Sequence, residues 1–103
     1  MEEFQKKAAE INTFFEQKVR ERKWTPEVIM ADLMEEIGEL SNAVLVQEKF
    51  KSEKRKKADL KDSVADVLFD LILIANYYNI NIKEEFMKMI EELKERIDSG
   101  KMK

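Results

Sequence analysis

The sequence contains no cysteine and no histidine among its 103 residues, and it has only two glycines and one proline. Without cysteine, the chain has no disulfide, no thiolate zinc site and no cysteine nucleophile. Without histidine, it has no imidazole base, no Ser-His-Asp triad and no histidine-ligated metal. Any chemistry must therefore depend mainly on carboxylates, and any bound metal must have oxygen ligands, which favour Mg²⁺ or Mn²⁺.

Long apolar runs are also missing. The longest uninterrupted run, Leu71 to Ala75, is far shorter than the ~20 residues that a membrane span requires. The first residues contain no apolar signal core. We therefore expect a soluble, cytoplasmic protein without a membrane partner. The formal net charge of −3 argues against general binding to a nucleic acid polymer.

The residues that are present favour long helices in one domain, which we assign to residues 1–103. Apolar residues spaced by three and four predict helices over residues 3–22, 26–48, 58–78 and 83–98. Thr25 and Pro26 start the second helix, and Gly100 stops the fourth. Four helices with short connections predict an all-α, antiparallel four-helix bundle.

The second and third predicted helices are apolar on most of their circumference. Such helices need cover on most sides, which a chain of this size can hardly provide by itself. We therefore predict a homodimer, or a dimer of dimers, with these two helices at the interface.

Charge is segregated along the chain. Residues 24–48 and 62–82 hold nine of the 22 acidic residues and none of the 19 basic ones. At about 100° per residue, the acids of each helix fall within an arc of roughly 100° or less. The two stripes consist of Asp32, Glu35, Glu36 and Glu39, and of Asp59, Asp62, Asp66 and Asp70. If the stripes face each other, up to eight carboxylates converge, and either protonation or a divalent metal must relieve their repulsion.

A Glu-Glu-x-x-Glu pattern occurs twice, and the two copies differ in context. The copy at residues 91–95 is interleaved with bases and indicates a solvated helix face. The copy at residues 35–39 has no base nearby and includes Gly38. Glycine inside a helix costs about 1 kcal/mol relative to alanine, so we expect a ligand or another helix to pack closely there.

These residues resemble the MazG-like nucleotide pyrophosphohydrolases, an all-α superfamily of NTP pyrophosphatases. The resemblance rests on Glu35-Glu36-x-x-Glu39, a spacer, and an acidic segment that ends at Asp66. The surrounding residues 65–76 and 80–86 also look similar, so the resemblance covers about residues 24–97. It implies a MazG-like bundle and Mg²⁺-dependent hydrolysis of a nucleoside triphosphate to a monophosphate and pyrophosphate, with Mn²⁺ as a second option.

By that resemblance, Glu36, Glu39 and Asp66 are metal ligands. Glu35 is either a ligand of a second metal or the residue that orients the attacking water. The family's second motif begins with glutamate, and Ser63 stands at that position here. Either Asp62 or Asp70 supplies the missing carboxylate, or the metal site is weakened and the protein is a poor enzyme.

Candidate substrate contacts each have a structural alternative. Lys54 and Lys57, in the basic connection after the second helix, either contact phosphates or are solvated. Asn76 is either a contact to sugar or base or a satisfied core amide, and Trp24 either stacks on a base or covers a helix junction. The family's Asn-x-Lys on the last helix is absent, which leaves Arg96 for the phosphate. The two rival functions are a catalytically weak regulatory module that binds nucleotide or metal, and a structural bundle that binds another protein.

Overall fold

In the computed structural model, residues 1–20 and 23–100 are described, and within them the chain forms four α-helices. They are α1 (Glu2–Lys18), α2 (Pro26–Gln47), α3 (Leu60–Tyr77) and α4 (Ile82–Asp98), with a short 3₁₀ turn at Glu53–Arg55. The predicted all-α class is confirmed. The first helix ends earlier than predicted, and the last two residues of its predicted range, 21 and 22, lie outside the described residues.

Local capping signals set the start of α2 and both ends of α4, and those at Thr25, Pro26 and Gly100 were predicted from the sequence. The Thr25 hydroxyl accepts a hydrogen bond from the Val28 N–H, and Pro26 takes the first position of α2. The Asn81 side chain accepts from the Glu84 N–H at 3.1 Å and starts α4. The turn before it is formed by Asn79 in the left-handed region, at φ 56°, and Gly100 ends α4 at φ 76°.

The core lies between α2 and α3, which pack antiparallel. Asn42 accepts a hydrogen bond from the Lys57 N–H just before α3, while Glu36 lies beside Asp66 further along. The buried apolar residues all come from these two helices: Ile29, Leu33, Ala43, Val46, Ile72, Leu73 and Ala75. This pairing is what brings the two acidic stripes onto one side of the molecule.

Hydrogen bonds of the Gln5 side chain hold helix α1 against the C-terminal end of α3. The Gln5 amide donates to Asn76 Oδ1 at 2.9 Å and to the Ile80 carbonyl at 2.8 Å, and its oxygen accepts from the Ile82 N–H. Asn76 returns a hydrogen bond to the Gln5 carbonyl. The contact fixes α1 along α3 although no residue of α1 is buried.

Helix α4 departs from the predicted bundle. In the described part of the chain, the extensive pairings are α2 with α3 and α1 with α3, and α4 has no buried residue. The radius of gyration is 17.1 Å, whereas a compact domain of this length has roughly 13 Å. A single chain thus has its core between α2 and α3, with α1 along α3, while α4 extends away and leaves exposed apolar residues of the same chain uncovered.

Membrane-spanning segments were sought among the same residues. None of the single helices there is long and apolar enough to cross a membrane. The segments Glu53–Tyr77 and Ile82–Asp98 reach that length and composition only as a pair, and the pair is bent by 102°.

Candidate functional site

Three carboxylates converge where α2 and α3 face each other. Glu36 and Glu39 lie one turn apart on α2, and Asp66 comes from α3. Each offers a carboxylate oxygen, and these three oxygens lie within 4.8 Å of one another. Glu36 and Glu39 are half-buried, while Asp66 is exposed. We refer to these three residues as the acid cluster.

Among the described residues, no basic side chain forms an ion pair with the acid cluster. Within residues 1–20 and 23–100, ion pairs join only Lys56 to Glu53 and Asp59. Burial, and then the neighbouring Asp66 and Glu39, raise the pKa of Glu36 to about 6. Its Oε2 atom is buried without a hydrogen-bond partner in the same residues. A hard divalent cation with oxygen ligands fits this donor set.

The remaining acids of the two stripes do not join the acid cluster. Asp59 pairs with Lys56 at 2.6 Å, which lowers the pKa of Asp59. Glu35 and Asp62 are exposed and lie outside the cluster. Of the up to eight carboxylates that the two stripes could bring together, three form the cluster, and Asp32 and Asp70 form a separate pair.

Ser63 and Gly38 lie in contrasting surroundings. Ser63 is fully buried, with 0% of its surface exposed, and its hydroxyl has no partner among the described residues. Neither Asp62 nor Asp70 takes its place in the acid cluster. A Cβ atom on Gly38 would meet no atom within 4 Å, so the described chain supplies no close packing there.

Asp70 and Asp32 form a second carboxyl pair beside the acid cluster. Asp70 is only 5% exposed, and the Asp32 carboxyl lies within hydrogen-bonding reach of it. Burial, then the hydrogen bond and charge of Asp32, raise the pKa of Asp70 to about 8. The Oδ2 atom of Asp70 has no partner in the described part of the chain. The pair therefore holds a proton near neutral pH in the metal-free protein.

A cleft of about 460 Å³ opens between α1 and the two carboxyl groupings. Its floor includes Asp32 and Asp70, and it shares Glu36 and Asp66 with the acid cluster. Its walls are mainly apolar and aromatic and consist of Ile11, Phe15, Val19, Arg20, Trp24 and Phe69. We call this the aromatic cleft. It places a flat apolar surface directly beside oxygen ligands for a metal.

Arg20 closes one side of the aromatic cleft. Its guanidinium carbon lies 3.9 Å from the centroid of the Trp24 ring and 5.1 Å from that of Phe15. Its Nη1 atom donates a hydrogen bond to Asn12 Oδ1. The charge of Arg20 also opposes the rise in the pKa of Asp70. The positive charge of the Arg20 guanidinium thus lies against the aromatic wall of the cleft and close to the Asp32–Asp70 pair.

The structure separates the other residues predicted to bind substrate. Trp24 lies between the aromatic cleft and a second cleft of about 440 Å³, which Asn76 also lines. The Asn76 amide is engaged on both sides by Gln5, as a satisfied interhelix contact. Lys57 shares a surface depression with Asp66, whereas Lys54 is exposed on the 3₁₀ turn.

Arg96 lies apart from these residues. It lines a depression on α4 together with Glu92, Glu95 and Ser99. Because α4 does not pack on the core of its own chain, Arg96 has no place in the acid cluster described above.

Four residues of the site were not singled out as substrate or metal contacts from the sequence. Phe15, Arg20 and Phe69 are not among the predicted site residues, and Asp32 is predicted only as a member of an acidic stripe. The helical spacing carries no signal for the cleft, because the cleft exists only where α1 crosses the α2–α3 pair.

Comparison with known proteins gives the family. Searches of curated proteins and of solved structures found no match. The model of the MazG nucleotide pyrophosphohydrolase domain matches residues 24–100, which include the acid cluster and exclude α1. This match indicates a pyrophosphohydrolase-type activity at the level of the family, and the acid cluster is able to hold the divalent metal on which that family typically depends. The chain belongs to the MazG nucleotide pyrophosphohydrolase domain family.

Proposed function

We propose that the protein is a Mg²⁺-dependent nucleoside triphosphate pyrophosphohydrolase that acts on the nucleotide pool of the cytoplasm. Water is consumed, the α–β phosphoanhydride is broken, and a nucleoside monophosphate and pyrophosphate are released. The observation that carries the proposal is the acid cluster of Glu36, Glu39 and Asp66, whose charge no described basic residue compensates, next to the aromatic cleft. Mn²⁺ has the same preference for oxygen ligands and is expected to substitute.

In this proposal, each residue around the acid cluster has its own role in binding metal, water or phosphate. Glu36, Glu39 and Asp66 hold the cation, and Glu35, exposed on the same helix, orients the attacking water or holds a second cation. Bound Mg²⁺ neutralises the triphosphate and activates the water. Lys57, in the depression that it shares with Asp66, contacts the phosphates as a point charge.

Pyrophosphate release from a panel of ribo- and deoxyribonucleoside triphosphates tests the proposal. The expected result is release that requires Mg²⁺ or Mn²⁺ and stops when EDTA is added. A folded, helical protein that releases pyrophosphate from none of the panel members with either metal contradicts it.

A second candidate function is that of a catalytically weak MazG-like module that binds nucleotide or metal. Ser63 favours it, because this residue stands where the family has glutamate and is fully buried. With Asp62 and Asp70 outside the acid cluster, the cation has three carboxylates rather than four. Calorimetry that detects nucleotide binding without turnover supports this candidate over the enzyme.

Ser63→Glu measures how much the missing carboxylate matters. We expect the variant to reach half-maximal pyrophosphate release at a Mg²⁺ concentration about tenfold lower, because a fourth carboxylate one turn before Asp66 adds an oxygen ligand. The metal-free variant should melt at a lower temperature than the parent, since an unpaired carboxylate enters a buried position.

Ser63→Gln is the matched control, since it has the same length without the charge. It should not shift the Mg²⁺ dependence of pyrophosphate release. If Ser63→Glu and Ser63→Gln behave alike, the glutamate of the family is dispensable here.

We also propose that the protein is a homodimer or a dimer of dimers. Several apolar side chains of α2 and α3 are exposed although they form continuous helix faces: Met30, Met34, Ile37, Val44, Val64, Leu68 and Leu71. The exposed apolar face of α4 and the open space beside Gly38 give a second copy both a surface and room to pack. Covering these faces supplies the hydrophobic burial that the small core of one chain lacks.

Val44→Lys should weaken this assembly. Val44 is 43% exposed in one chain, so the substitution adds little strain there but introduces a charge at the proposed interface. Sedimentation equilibrium should show a shift toward monomer, and the melting temperature should become more dependent on protein concentration. Gln17→Lys, on the exposed side of α1, is the control. A parent protein that is monomeric at all concentrations disproves the assembly.

A further inference from the structure

The floor of the aromatic cleft contains a carboxyl pair that the hydrolysis does not use. Asp70 lines the cleft, is 5% exposed, and keeps its Oδ2 atom without a hydrogen-bond partner among the described residues. Asp32 lines the same cleft within hydrogen-bonding reach of Asp70. A buried oxygen without a partner is unfavourable, so a ligand that donates a hydrogen bond to it is stabilised.

The walls of the aromatic cleft suit a flat heteroaromatic ring. Phe15, Trp24 and Phe69 supply aromatic surface, and the Arg20 guanidinium already stacks on Trp24. Bases stack on aromatic side chains and on guanidinium planes. The volume of about 460 Å³ lies within the usual range for small-molecule sites. Since Glu36 and Asp66 belong both to the cleft and to the acid cluster, a nucleotide with its phosphates at the cluster has its base within reach.

Building on the function proposed above, we propose that the aromatic cleft holds the nucleobase and that the Asp32–Asp70 pair selects bases with an exocyclic amino group. The proton of the pair is shared in the hydrogen bond between Asp32 and Asp70, so the other carboxyl oxygens accept hydrogen bonds from the amino groups of cytosine or adenine. In uracil and hypoxanthine a carbonyl oxygen replaces an amino group, so two acceptors face each other. The preferred substrates are therefore amino-bearing nucleoside triphosphates, and their deaminated counterparts are disfavoured.

The segment that forms much of the wall lies outside the family match. The family model covers residues 24–100, whereas Ile11, Phe15, Val19 and Arg20 belong to α1 and the residues just after it. The acid cluster thus lies within the family's own segment, and the base-selecting cleft is completed by a helix that precedes it. Phosphate hydrolysis therefore depends on the segment that matches the family, whereas recognition of the nucleobase also depends on α1.

Trp24 is the only tryptophan of the chain and lines both clefts, so its fluorescence reports binding in either, and variants of Asp32 and Asp70, which line only the aromatic cleft, tell the two apart. The experiment titrates the full chain, without metal, with CMP against UMP and with AMP against IMP. We expect CMP and AMP to bind about tenfold more tightly than their counterparts, in line with the discrimination that one well-placed hydrogen-bonding pair provides. In Asp70→Asn the ratio should fall to about one, because an amide both donates and accepts.

Two further variants make the result specific. Asp32→Asn should lose the preference for amino-bearing bases as well. If circular dichroism shows that Asp70→Asn does not fold, Asp32→Asn tests the proposal in its place. Asp98→Asn removes a carboxylate at the exposed end of α4 and should keep the full preference.

The proposal fails if the parent binds both members of each pair equally, if the preference survives in both aspartate variants, or if no nucleotide changes the fluorescence. Because the monophosphates bind without turnover, these outcomes are independent of pyrophosphate release. If the protein releases no pyrophosphate but binds CMP much more tightly than UMP, the proposed enzymatic function is wrong and the proposed selectivity of the aromatic cleft is supported.

Discussion

Glu36→Gln is expected to abolish Mg²⁺-dependent pyrophosphate release, with a loss of at least about 100-fold. The variant keeps the shape of the side chain but removes the charge of the most central member of the acid cluster, whose pKa is raised by burial and by the two other members. A bound cation contributes several kcal/mol to stabilising charge in the transition state, and each 1.4 kcal/mol corresponds to a factor of ten. Calorimetric titration with Mn²⁺ should show weaker metal binding in the same variant.

The chain contains its own control for this experiment. Glu92→Gln removes the equivalent glutamate from the second Glu-Glu-x-x-Glu, which lies on α4 with no part in the acid cluster. It should leave both turnover and metal binding close to those of the parent. Equal losses in the two variants, or full activity in Glu36→Gln, would place the metal elsewhere.

Asp70→Asn is expected to stabilise the metal-free protein at pH 8 and to flatten the dependence of its melting temperature on pH. The pKa of Asp70 is about 8 in the folded chain and 3.8 ordinarily, so the folded state binds this proton more tightly than the unfolded state. By linkage, the stability that this proton gives is fully present below the ordinary pKa and is lost as the pH rises through about 8. The parent should therefore melt at a lower temperature at pH 8.5 than at pH 6.

The pH window separates Asp70 from Glu36. The pKa of Glu36 rises from 4.5 to about 6, so its contribution is lost as the pH rises through about 6, and the decline between pH 6 and 8.5 belongs mainly to Asp70. Differential scanning calorimetry at fixed protein concentration, in EDTA, measures this decline. Asp98→Asn should retain it, since that carboxylate is exposed. An unchanged decline in Asp70→Asn would mean that this carboxyl group is solvated in the native state.

The helices and their ends were predictable because they depend on interactions between residues close in the chain. The Thr25 and Asn81 caps act within three residues, and the apolar spacing of each helix requires only its own segment. The antiparallel course of α2 and α3 followed from their short connection. The position of α4 was not predictable. Its amphipathic pattern shows that one face of the helix must be covered, but the pattern does not identify the surface that covers it.

The candidate site was predictable in part for the same reason. The spacing of Glu36 and Glu39 places both on one helix face, and the match of Asp66 to the family motif added the third member. Which further acids join them depends on the rotation and offset of α3 against α2. The packing of α3 on α2 places Asp70 next to Asp32 and leaves Asp62 exposed. The helical spacing does not distinguish these three aspartates, because it shows only that each belongs to an acidic stripe.

The amino-acid sequence by itself determined the all-α class, the start of α2, the restriction of any metal ligands to oxygen atoms and the segregation of acids from bases. Each of these follows from composition or from contacts within a few residues. The tertiary structure alone decided that three carboxylates meet, that Asp70 is buried against Asp32, and that Phe15, Arg20 and Trp24 close a cleft beside them. The physical reason is that burial and mutual charge depend on how helices distant in sequence are packed, and no local pattern encodes that geometry.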